Sequence, residues 1–312
     1  MDKSIYELIS ENTTNGVLNK GFFLPEENKD DSVLPYAPGA FDGICLFHMA
    51  NKKVDRAQMG QMAEALERAS GGYFPQADAL FAEWTKEHRA IRIVDHLQDY
   101  VLDHTDHLDA QNILNAAMYL IIRSSHIECV KIGLELLELF RVSHKDSAGV
   151  KEIVRCIGQY DEFTIFAIWN MRKWDDGNQE IFELAKKVHG WGRIHAVVHL
   201  KPETEEIRHW FLTEGTINDI GNTYSAVNCW WKSDAETILF GQPTAEEYNG
   251  IATLIEGLLD EGPVRGISAL ENAEKILLRF MEISQDYEPT DDILNLIQRI
   301  RKWLENQDKT DS

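Results

Sequence analysis

The stretch from Trp191 to Gly215, WGRIHAVVHLKPETEEIRHWFLTEG, sets the tightest limit on what this chain folds into. Its apolar residues recur at steps of three and four on either side of one short corner, which reads as two amphipathic helices in succession. Leu200 closes the first helix. Pro202 is expected to open the second, because the first turn of a helix has no use for the missing N–H, and Gly215 ends it. Two helices of about ten residues, each apolar along one stripe, cannot bury those stripes by themselves. Other helices must cover them, so the segment predicts a stack of helix pairs.

The same period runs through most of the chain. From Val54 onward, Met59, Met62, Ala63, Leu66 and Ala69 precede a stop at Gly71-Gly72, and another helix follows from about Gln76. Ile91, Val94, Leu97, Val101 and Leu102 mark the next, and Asp109 is placed to cap one that carries Ile113, Leu114, Ala117, Leu120 and Ile121. Helices are expected around 126–142, 147–159, 162–174 and 178–189, and again over 244–259, 268–284 and 291–304. Between 215 and 243 Asn, Gly, Thr and Ser weaken the pattern, which makes that stretch the natural place for a subdivision. Residues 1–50 differ. Their turn residues cluster at Asn12–Gly16, Pro25–Ser32 and Pro35–Gly39, predicting loop or extended structure that serves as an irregular N-terminal cap. The fold class read from these patterns is all-α, a right-handed helical-repeat solenoid over 51–312 behind a cap over 1–50.

The string GRIHAVVHL followed by PETEEIRHWFL resembles the HEAT repeat, with Arg193, Ala196, Val197 and Leu200 carrying the likeness. It covers one unit closely and residues 76–215 by periodicity, and it implies an α-solenoid, for which protein binding is the commonest use. The piece NQEIFELAKKVHGWGRIHAVVHLKPETEEIR, with NTYSAV nearby, is similar to a group of uncharacterised bacterial proteins sometimes labelled limonene hydroxylase. Hydroxylating an unactivated C–H bond needs a cofactor that activates oxygen. The cysteines show no haem-thiolate context and no GxGxxG follows a strand, so that second resemblance implies a shared fold and no cofactor is expected.

Charge narrows the partners. The 312 residues include 31 Lys and Arg against 52 Asp and Glu, a formal net charge of -21. Such a field repels phosphate backbones and favours basic polypeptides, a basic toxin or nuclease among them, when it does more than keep the surface soluble. Cys45, Cys129, Cys156 and Cys229 have no metal-site spacing and read as buried thiols. No run approaches the roughly 18 apolar residues of a membrane span, and the first residues lack the basic and apolar regions of a signal peptide. The expectation is a cytoplasmic protein without a membrane partner.

Two groups of residues are candidates for function. In DHLQDYVLDHTDHLDA, His96, Asp99, Asp103 and His107 fall at helical steps of three and four, so one helix face could offer them to a divalent ion. His104 and Asp106 add the HxD spacing of iron oxygenases, whose strand framework this helical context lacks. The second group is aromatic. Trp169, Trp174, Trp191, Trp210, Trp230 and Trp231 crowd the middle third, where most serve to fill gaps between helices. Trp191, Arg193, Trp210, Trp230 and Trp231 are expected to form a binding surface on a concave, acidic face. HEAT-like DNA glycosylases suggest another use, with Trp191 and Trp231 beside Asp219 or Asp234, but the basic groove it requires would have only Arg172, Lys173, Lys186, Lys187 and Arg193 to draw on. HExxH, a Walker A loop and GxSxG are all absent from the sequence. The reading is therefore a non-enzymatic protein that binds a protein or peptide partner, with a metal-dependent enzyme or a glycosylase as the competing classes.

Overall fold

Residues that reward a 3.6-residue period fill this chain, and helix follows almost throughout. The computed structural model describes residues 3–25, 36–49, 59–141 and 147–310, and among them it contains seventeen α-helices and one two-stranded hairpin. The chain divides into two compact units, Met1–Ala196 and Val197–Ser312. The first holds α1 (Ile5–Glu11), the hairpin of β1 (Thr13–Thr14) and β2 (Val17–Leu18), α2 (Ala40–His48), α3 (Gly60–Ser70), α4 (Phe74–Trp84), α5 (Ala90–Asp103), α6 (Ala110–Arg123), α7 (Ile127–Glu138), α8 (Ser147–Gly158), α9 (Asp161–Met171) and α10 (Gly177–Ala185). The division falls inside α11 (Trp191–His199). The second unit holds α12 (Glu205–Thr213), α13 (Thr223–Lys232), α14 (Ala235–Phe240), α15 (Ala245–Leu259), α16 (Ala273–Ile283) and α17 (Asp291–Thr310). Among the described residues no helix is long and apolar enough to cross a membrane.

Helix starts follow local chemistry. Asp109 caps α6 as expected, its Oδ1 accepting the Asn112 N–H at 2.8 Å. Ser4 with Glu7 and Thr244 with Glu247 form reciprocal capping boxes on α1 and α15. Pro202 does not open α12. Thr204 does, because its hydroxyl accepts the Ile207 N–H at 3.2 Å and so supplies a cap that proline has no side-chain atom to give. Pro202 stays in the corner, where its carbonyl accepts from Arg208 Nη1 at 2.7 Å.

The first 50 residues are more helical than their turn residues suggested, since α1 and α2 both lie there. α1 packs against α6 and α8, its Ile5 N–H donating to the Ser124 carbonyl at 3.0 Å. Leu18 N–H then donates to Gln159 Oε1 and Leu24 N–H to the Tyr160 hydroxyl, so this segment runs along the middle helices of the first unit. Residues 26–32 of the expected Pro25–Ser32 turn, Pro35, Val54 and residue 142 lie outside the described residues.

Each unit has one helix at its centre. In the first it is α7, buried from Ile127 to Leu137 and packed on α4, α5, α6 and α9. In the second it is α15, packed on α12, α13, α14 and α17, with the ring of its Tyr248 stacked between Phe280 and Tyr287 at 4.7 and 4.1 Å. The stretch over 215–243 lies within the second unit and forms α13 and α14.

Candidate functional site

The expected aromatic surface is largely interior. Trp191, Arg193, Trp210 and Trp230 are all at most 5% exposed, whereas Trp231 is 60% exposed. The correction has a physical cause in each part of the chain. Trp191 lies under α2, so close that a Cβ on Gly43 would sit 2.1 Å from its indole, and Phe47 and His195 flank it. Arg193 turns inward to donate from Nε to the Val188 carbonyl at 2.8 Å, tying α11 to the end of the preceding turn. Trp230 and Trp231 are adjacent on α13, about 100° apart around the helix, and one is packed while the other faces out. Of the cations on which a glycosylase groove would draw, Arg193 is buried and Lys173 and Lys186 pair with Glu138 and Glu183.

His96, Asp99, Asp103 and His107 are not brought together as a metal site. Among the described residues no group of three or more His, Cys, Asp or Glu side chains is arranged to hold an ion. α5 ends at Asp103, and His104 leaves the helical path with φ -117° and ψ 26°, so the step of four from Asp103 to His107 is no longer a helical step. His104 stacks on Tyr100 at 4.1 Å and His107 stands 3.3 Å from Asp106. Of the cysteines, Cys45, Cys129 and Cys229 are buried and Cys156 is half-buried, all four as free thiols.

The most concentrated charge in the interior is one the sequence reading passed over. Lys131, fully buried on α7, donates from Nζ to Asp42 Oδ2 at 2.7 Å, Glu128 Oε1 at 3.1 Å and Glu162 Oε1 at 2.5 Å. These carboxylates come from α2, α7 and α9. Glu128 accepts further bonds from Arg89 Nη1 at 3.0 Å and the Ala90 N–H at 2.6 Å, and Glu162 accepts the Gly39 N–H at 2.5 Å. Asp42 is the poorest of the three, because Oδ1 has no hydrogen-bond partner among the described residues. Burial, with Glu162 and Glu128 adding to it against the pull of Lys131, pushes the Asp42 carboxyl up to about 7. Burial opposes charge on Glu128 too, but Lys131, the Ala90 N–H and Arg89 hold it below the ordinary carboxylate range. Burial likewise works against the ammonium of Lys131, and the three carboxylates outweigh it and hold that group well above the ordinary lysine value. The cluster reaches the surface at half-exposed Arg89, where Glu83, Lys86, His126 and Glu128 help line a groove of 560 Å³.

A larger groove, of 670 Å³, lies between α14 and α16 in the second unit. Phe240 and Leu278, 38% and 47% exposed, give it apolar sides, and Glu271, Glu274 and Glu282 stand around them. Its two cations are engaged. Lys275 lies over the Phe240 ring at 5.1 Å, and Arg279 donates to the Leu239 and Gly241 carbonyls and to Glu282. Arg279 and Glu282 offset each other, and Glu271 and Glu274 outnumber Lys275, which keeps its charge over the ring, so the lining carries a formal excess of one negative charge.

Comparison with protein-family models, with curated proteins and with solved structures finds no match to this chain.

Proposed function

We propose that this chain is a HEAT-like helical-repeat protein that binds a basic polypeptide, and that the α14–α16 groove is where it does so. The observation that carries the reading is the groove itself, where two large apolar side chains are exposed among three glutamates and two cations. Exposed apolar area rimmed by charge is the composition of a recognition patch, and its sign selects lysine- and arginine-rich partners. The charge of the second unit supports that choice, since twenty-two acidic side chains against ten basic ones leave it a formal -12. Near neighbours in sequence pack together within each unit, as α3 does on α4, α6 on α7, α8 on α9 and α12 on α13, which is the habit of helical repeats. Four free thiols accord with a reducing compartment such as the cytoplasm.

Panning a random peptide library on the immobilised protein tests the reading. Sequences that set Lys or Arg around one or two large apolar residues are expected to be enriched. Recovery of acidic sequences, or of none, would defeat it.

A further inference from the structure

The charges around Lys131 balance without α2. Lys131 and Arg89 stand against Glu128 and Glu162, two cations against two carboxylates, all supplied by α7, α9 and the residue before α5. Docking α2 brings in Asp42 as a third carboxylate, 1% exposed, with one oxygen bonded to Lys131 and the other to nothing among the described residues. An uncompensated charge in that position is costly, and a neutral carboxyl is far less so. Other contacts of α2 include the Gly39 N–H on Glu162, the Phe41 ring under Arg89 and Arg92, and Gly43 and Phe47 against Trp191.

We infer that α2 is a proton-controlled latch, which closes over Trp191 and the Lys131 cluster when Asp42 is neutral and loosens when Asp42 is charged. The groups facing Asp42 are Lys131 and Glu128 from α7, Glu162 from α9 and Arg89 from the start of α5. His48 on α2 itself and His195, which faces Phe47 from α11, are the histidines close to the same helix. The Asp42 carboxyl is raised to about 7 when docked against an ordinary value of 3.8, so the hold of α2 is greatest below the lower value and is lost as pH rises through the upper one. Release uncovers the indole of Trp191, which gives the residue two states, covered and available.

Amide hydrogen exchange, corrected for intrinsic rates, reads this directly on peptides covering α2, with peptides from α6 as the reference for unfolding of the first unit. In the wild type the opening constant of α2 is expected to rise roughly a hundredfold from pH 5 to pH 8 and to level off above pH 7, while α6 stays protected. In Asp42→Asn that rise should vanish. A flat wild-type profile, an equal rise in Asp42→Asn, or loss of protection at α2 and α6 together would overturn the latch; the second of these would assign the effect to His48 or His195. Should Asp42→Asn fail to fold, Glu128→Gln replaces it. Removing that neighbouring charge should move the wild-type rise to lower pH, and an unmoved profile would count against the inference.

Discussion

Removing the ammonium of Lys131 leaves Asp42, Glu128 and Glu162 facing one another in the interior of the first unit. Lys131→Met is expected to lower the unfolding free energy at pH 8 by about 3–5 kcal/mol, the usual cost of stranding buried charge. The loss should shrink toward pH 5, where Asp42 takes up a proton, and denaturant unfolding at the two pH values measures both. A change below about 1 kcal/mol at pH 8 would show that the cluster is not held by its lysine. Glu135, 1% exposed, makes the opposite case. Burial, then Glu138 and Asp95, raise its carboxyl well above the ordinary range, and Gln98 Nε2 bonded to one oxygen does not offset them. An acid raised in the fold contributes most below its unfolded value, and that contribution is lost as pH rises through the folded one. Glu135→Gln should therefore gain stability relative to wild type as pH rises from 5 to 8, and a constant gap between the two unfolding curves would contradict this. The sequence carried a signal for both sites. In IECVKIGLELL three charged residues interrupt a helix that is apolar on every side, and such charges must find partners inside. The partners themselves were not legible, because Asp42 and Glu162 lie 89 and 31 residues from Lys131 in sequence.

At the level of elements, local chemistry was readable and tertiary compensation was not. Asp109 announced α6 because a cap acts within three residues of itself, whereas Pro202 misled because the hydroxyl of Thr204 offers the better start two residues later. α13 gave little warning. Thr223, Ser225, Val227, Asn228 and Cys229 are poor helix formers, and the helix is secured instead by a buried stripe of Ser225, Ala226, Cys229 and Trp230 packed against α12 and α15. Close approach decides the α6–α7 pair. A Cβ at Gly133 would stand 2.9 Å from the Ala117 carbonyl oxygen and 3.0 Å from Leu120 Cβ. Gly133→Ala would gain about 1 kcal/mol in helix propensity. Overpacking against a backbone atom costs about 1–3 kcal/mol, so a net loss is expected in thermal unfolding. A stabilised variant would mean that α6 and α7 can part without penalty.

For the whole molecule, the formal charge of -21 was plain in the sequence and bears on partners more than on fold. The all-α class was plain too, because a 3.6-residue period repeated over most of the chain. The place of the groove was not. Phe240 and Leu278 sit on different helices, and a local hint is that Leu277 and Leu278 are adjacent on α16, about 100° apart around the helix, so that a helix packed on one side leaves one of them outside. The expected aromatic face was drawn from the same kind of residue, but tryptophan's large apolar body draws it inward wherever neighbouring helices offer room, as Trp191, Trp210 and Trp230 show. Calorimetric titration of a Lys- and Arg-rich peptide selected by panning, into wild type and into the Phe240→Ser, Leu278→Ser double variant, tests the binding claim most directly. The account predicts that the double variant loses at least about tenfold in affinity, roughly 1.4 kcal/mol, and that tenfold higher salt weakens the wild-type complex. Equal affinity for the two proteins would contradict it.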